Sequence, residues 1–321
     1  MQDRRRIAAL LAGHAEIPTE LLEQLAGDDD ELTAFPALRY SPGLSVDLLG
    51  RIASRGPESL RRAIANRPSL SESVLTALCE HAGASVIRIL LDRDDVVLAQ
   101  HHLDRLGRRS EIVAALGMDL AGHDALTPDG LMGQFLHLPA PLKARAIAAA
   151  ETASLVRQAQ TSGTLPPRKR RPGDPVIVAG LMREALAQNR SRFAELLSRE
   201  LGLAQPTCDL LLREDQAEGL TIALRAAGLS RAQLATVLIR LVGEDLSLDR
   251  LRGLLRLHRS ISDGAADILV GQWGLRDLGA RTETPRHAPQ YQQTAGRKRP
   301  ETASAVSEGE ASTRPLQSER R

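Results

Sequence analysis

The sequence predicts an all-α protein whose N-terminal part is an α-solenoid of short helix pairs. Three observations predict it. The 321 residues include 53 Leu and 45 Ala, both strong helix formers, while aromatics make up 2%. Apolar residues recur at helical rather than alternating spacing. The same pattern also returns every 26–28 residues. Aromatic and β-branched strand material is too scarce for an all-β fold or a parallel α/β sheet.

The repeats justify the first elements. Ile7, Leu10 and Leu11 begin an opening helix. Ile17–Ala26, Leu44–Ala53, Leu70–Cys79 and a weaker Leu98–Gly107 then start 27, 26 and 28 residues apart. Each carries apolar residues at relative positions 1, 5, 6 and 9, degraded in the last copy. Ser45, Ser71 and Thr19 (after Pro18) stand where an N-cap oxygen meets first-turn amides. Between these stripes lie second runs, Leu32–Leu38, Leu60–Ala65, Val86–Leu91 and Ile112–Leu116. One such pair cannot bury its apolar face alone, so stacked neighbours supply the core.

Residues 1–118 are thus read as the solenoid and 119–160 as an irregular extension with a helix from about Leu142 to Gln160. Residues 161–175 follow as a basic, Pro-rich linker. A second helical domain spans 176–275. Gly202 and Gly228 each end a helix there in the left-handed C′ position. Leu234, Val237, Leu238 and Leu241 share one face, Leu248, Leu251, Leu254 and Leu255 another, and Trp273 serves as an amphipathic lid. Residues 276–321, poor in apolar spacing, are expected to be disordered.

The helices led by Pro18, Ser45 and Ser71, the ends Asn66-Arg67-Pro68 and Asp92-Arg93, and Phe193–Leu203 followed by Leu210-Leu211-Leu212 form one pattern. It resembles a bacterial domain-of-unknown-function family of uncharacterised proteins with HEAT-like helical repeats, over most of residues 3–275. The resemblance implies a repeat fold and carries no activity.

Charge is nearly balanced, at +2 from 42 basic and 40 acidic residues. That is no nucleic-acid signature by itself. Cys79 and Cys208 read as reduced core thiols. No stretch reaches the roughly 20 apolar residues of a membrane span. The run after Arg4-Arg5-Arg6 is too short for a signal peptide. A cytoplasmic protein is expected.

Motifs of catalysis are missing: no phosphate loop, no His-Glu-x-x-His, no paired Cys. His101 and His102, adjacent on a helix, diverge by about 100° and are not expected to face one metal. Cys79 and His81 face apart. Asp28–Glu31 and Asp92, Asp94, Asp95 lack the glycine and distal glutamate of a calcium loop and read as helix-start and turn charges. No cofactor or metal is expected.

Two features point to partners. Arg39, Arg67 and Arg93, with Asn66 and Asp92 beside the latter two, recur at matching helix ends and should align along one edge. There they either complement helix carbonyls, worth about 0.3–1 kcal/mol each, or form a row of guanidinium forks for a protein partner. Arg168, Lys169, Arg170 and Arg171 are candidate contacts for phosphates or an acidic partner. The functional expectation is a noncatalytic protein-binding adaptor or regulatory scaffold. Its alternatives are a nucleic-acid-associated regulator using the linker and the helices through Ser230–Leu241 and Leu248–His258, or an enzyme with a site no motif announces.

Overall fold

The computed structural model describes residues 2–12, 14, 17–161, 174–243 and 246–283. These are helical throughout, with no strand among them. Residues Met1–Glu283 form one compact unit.

The expected pairs are present. After α1 (Gln2–Leu11) come α2 (Thr19–Ala26) and α3 (Glu31–Tyr40), then α4 (Val46–Arg55) and α5 (Glu58–Ala65). Next are α6 (Glu72–His81) with α7 (Ala84–Leu91), and α8 (Gln100–Arg108) with α9 (Ser110–Gly122). Alternate helices stack: α3 lies against α1 and α5, α7 against α5 and α9, and α6 against α4 and α8. Helices of eight residues, such as α5 and α7, are too short to persist in water alone. Burial holds them. Ala34, Ala37, Ala53, Ala63 and Ala65 are fully buried beside Leu38, Ile64, Leu78, Ile87 and Leu106, each large side chain contributing about 1.5–3 kcal/mol. Ser45 caps α4 by accepting from the Leu48 amide (3.4 Å). Ser71 does not cap α6; its hydroxyl lies 3.2 Å from that of Ser73 instead.

The chain continues through α10 (Pro128–Gly133) to the long α11 (Ala140–Thr161), which fits the helix expected there. Of the linker, Asp174 and Pro175 are described: Asp174 caps α12 (Pro175–Leu186) by accepting from the Val176 amide (2.9 Å). Then follow α13 (Arg190–Leu201), α14 (Gln205–Leu211), α15 (Ala217–Ala226), α16 (Arg231–Val237, continued by a π-turn over Leu238–Val242), α17 (Leu248–Ser260) and α18 (Asp263–Glu283). Gly202 (φ +68°) and Gly228 (φ +79°) adopt the left-handed conformation expected of them. Gly219 lets α15 approach closely, since a Cβ there would lie 2.6 Å from Leu136 Cδ2.

Leu248 is 70% exposed, whereas Leu254, expected on the same face of α17, is 3%. Two expectations are corrected. Trp273 is no lid: it is 2% exposed, lies 5.7 Å from Phe135, and donates its indole N–H to the Met132 carbonyl (3.0 Å). The last helix runs through Arg276 to Glu283, into the stretch expected to be disordered. Arg276 is held there by the hydroxyl of Ser110. Residues 284–321 lie outside the described residues.

Candidate functional site

Helix ends dominate the polar chemistry. An α-helix leaves four carbonyls and four amides without intrahelical partners, and the macrodipole makes its C-terminal end negative. In this protein another helix supplies the missing partner. Arg67, 5% exposed, donates from one terminal nitrogen to the Leu38 carbonyl and from the other to that of Ser41 (2.7 Å), at the end of α3. Arg93 repeats this at the end of α5, donating to the Ala65 carbonyl (2.5 Å) while its other nitrogens grip Asp95. Arg61 donates to the Ala53 and Ser54 carbonyls (2.7 and 2.9 Å) and Arg109 to that of Cys79 (2.9 Å). Gln134 donates to Gly107 and Arg108 (3.1 and 2.9 Å), and His258 to Leu229 (3.1 Å).

Carboxylates do the converse at N-termini. Glu58 accepts from the Gly83 amide (3.0 Å) and the Ser85 hydroxyl (3.2 Å) at the start of α7. Glu151 accepts from the amide and hydroxyl of Ser262 (both 2.7 Å) before α18, and Asp277 from the Ala204 amide and the Thr207 hydroxyl (both 2.7 Å).

Of the predicted arginine series, Arg67 and Arg93 contact carbonyls of their own chain. Burial pushes the pKa of Arg67 down, and its fork faces its own chain. Arg93 is half-buried. Arg39 breaks the series: its guanidinium lies 5.2 Å from the Tyr40 ring centre, and its Nε is buried without an acceptor among the described residues. The hydroxyl of Ser41 takes its place, donating to the Ala12 carbonyl (3.0 Å). Asn66 donates to the Arg62 carbonyl (2.8 Å), and Asp92 is the exposed C-cap of α7. Arg168, Lys169, Arg170 and Arg171 lie outside the described residues.

The acidic runs form ion pairs. Asp28 meets Arg4 (3.0 Å). Asp30 accepts two bonds from Arg5 (2.7 and 2.8 Å), which hold its carboxyl well below the usual carboxylate range.

His101 and His102 do not diverge as expected. Their ring centres lie 4.0 Å apart, and both turn Nε2 toward Glu72 Oε1, at 3.0 and 3.4 Å. The 100° separation holds at Cα, but at the first turn of α8 the two side chains lean across the gap to α6. Among the described residues, these three side chains are the group placed to share a cation. No spacing in the sequence announced it, since His101 and His102 follow Glu72 by slightly more than one repeat.

Sequence reasoning also missed a groove of about 330 Å³ between α11, α15 and α17. Ala140, Ala144, Ile147, Leu254 and Leu257 provide apolar walls. Lys143, Glu218 and Arg250 supply charge. Lys143 is 8% exposed, with Nζ 3.4 Å from Glu218 and 5.6 Å from the Phe135 ring centre. A Cβ built on Gly253 meets no atom within 4 Å. No local motif could announce a site made by residues more than a hundred positions apart.

A family model described as "Uncharacterised protein conserved in bacteria (DUF2336)" matches residues 33–270. No curated protein and no solved structure matches the chain.

Proposed function

The chain belongs to the DUF2336 family of uncharacterised bacterial proteins, and we propose that it is a noncatalytic adaptor or scaffold that binds a protein segment on a HEAT-like array of helix pairs. The regular return of α2, α4, α6 and α8, and the arginine bonds joining successive helix ends, support the array. Such coupling makes neighbouring repeats move together and keeps an extended surface in shape.

The observation that carries the binding reading is the groove between α11, α15 and α17. It has room for one or two apolar side chains, charged groups at its rim, and open space above Gly253. That composition suits an anchoring residue of a partner chain. The test is photocrosslinking in the native host from a photoreactive residue at position 253, compared with one at exposed Arg51. A discrete protein adduct from position 253 alone, lost when Ala144→Trp is added to fill the groove in a chain with unchanged circular dichroism, is the expected result. Equal labelling from both positions would overturn the reading.

A second reading, association with nucleic acid, is favoured by α17. Arg252, Arg256 and Arg259 are exposed within about 60° of one another on this helix, with Asp249 pairing Arg252 (3.1 Å). Binding of a labelled duplex that weakens steeply with salt, and less steeply in Arg256→Gln, would favour it. No binding at low salt would remove it.

A further inference from the structure

We infer that Glu72, His101 and His102 bind one divalent cation of the zinc class at the surface between α6 and α8, leaving a coordination position open to water. This is independent of the adaptor reading, which concerns another face. Glu72 opens α6, and His101 and His102 are the second and third residues of α8, so two adjacent helices deliver all three groups from their first turns. Zinc takes imidazole nitrogen and carboxylate oxygen at about 2.0–2.2 Å, which sets tetrahedral ligand–ligand edges of about 3.3–3.6 Å. Glu72 Oε1 stands 3.0 Å from His101 Nε2 and 3.4 Å from His102 Nε2. All three ligand atoms lie within 4.8 Å of one another. Closing the set on one ion requires a movement of the two surface side chains and rotation of the Thr76 hydroxyl, which lies 3.0 Å from His102 Nε2, out of the way.

Burial divides the roles. The His102 side chain is fully buried and fixed, while those of His101 and Glu72 are 56% and 63% exposed. One rigid ligand and two adjustable ones leave the outer side of the ion to solvent. Two imidazoles and a carboxylate select a borderline transition metal over calcium or magnesium, which take oxygen ligands.

The metal-free hydrogen bonds state what loading requires. The Thr76 hydroxyl donates to the Glu72 carbonyl (2.9 Å), so it accepts the proton of His102 Nε2 (3.0 Å), and Nδ1 accepts from the Ala99 amide (3.3 Å). A cation at Nε2 moves that proton to Nδ1 and releases the long Ala99 bond. The contact is part-buried, and one water between the two groups would accept from both the Ala99 amide and the new Nδ1–H.

The test uses the full chain, stripped with chelator, titrated with zinc chloride by calorimetry and assayed for metal content after desalting. Wild type should take up one equivalent in a saturable isotherm. Glu72→Gln and His101→Ala, both at exposed positions, should each weaken that binding by more than about tenfold while their melting temperatures without metal stay at the wild-type value. Cobalt(II) should give a low-coordinate visible spectrum in wild type that both variants lose. Absence of a saturable event in wild type would overturn the inference. So would an isotherm unchanged in both variants, since the ion would then sit elsewhere.

Discussion

Trp273 donates its indole N–H to the carbonyl of Met132, 141 residues earlier, across 3.0 Å. This bond ties α18 to the end of α10, and the ring packs on Phe135. Trp273 is the chain's single tryptophan, so its emission reports this junction. Emission should be blue-shifted in the native state and shift red in one step with denaturant. Trp273→Phe should lower stability by about 1–2 kcal/mol through the unpaired carbonyl. Trp273→Ala should cost about 3–5 kcal/mol. A native emission maximum matching that of the unfolded chain would contradict the burial.

Arg67 should matter for folding far more than a surface helix-end cation. Removing it leaves the buried carbonyls of Leu38 and Ser41 without their donor. Arg67→Ala is therefore expected to destabilise by about 2–4 kcal/mol, and Arg67→Lys to restore only part of this, since one ammonium cannot copy the fork. Chemical denaturation measures both. A loss below the roughly 1 kcal/mol limit of an exposed helix-end charge would show that the bonds are not made in solution.

Acid should weaken the fold through His137. Burial first, and then the Arg276 charge, push its pKa down to about 4. The unfolded chain binds this proton near pH 6.5 and the folded chain near 4. Stability is therefore greatest above 6.5 and falls as pH drops from 6.5 toward 4. In His137→Asn this part of the pH dependence should flatten. Identical slopes for variant and wild type across that window would refute the assignment.

The two thiols should be inert in the native state. Cys79 and Cys208 are fully buried, and burial pushes the thiol pKa of each up to about 12. A thiolate-specific reagent at neutral pH should modify them at the rate of opening, with two equivalents reacting at once in denaturant. Rapid labelling of either cysteine without denaturant would show that its helix frays.

The helix pairs were legible because their signal is local. Leu44, Leu48, Leu49 and Ile52 mark a stripe of 3.6-residue period that survives whatever the helix packs on, and all four are buried or half-buried. Arg67 and Arg93 were legible as a series for the same reason. What each arginine holds was not, because the acceptors belong to another helix end 26–29 residues away. His101 and His102 were misjudged from helical angles alone. At the first turn of a helix, with α6 alongside, side-chain reach outweighs the angle at Cα.

By itself the sequence determined the helical class, the positions of the paired helices and the periodic placement of arginine near their ends, since propensity, period and capping act within a few residues. Only the tertiary structure decided that Arg67 faces inward, that Trp273 is a core anchor, that Glu72 meets two histidines, and that Lys143 and Glu218 border one groove with Arg250. Each of these depends on which backbone carbonyl or side chain the packing of separate helices brings within about 3–4 Å. A one-dimensional pattern does not encode that distance.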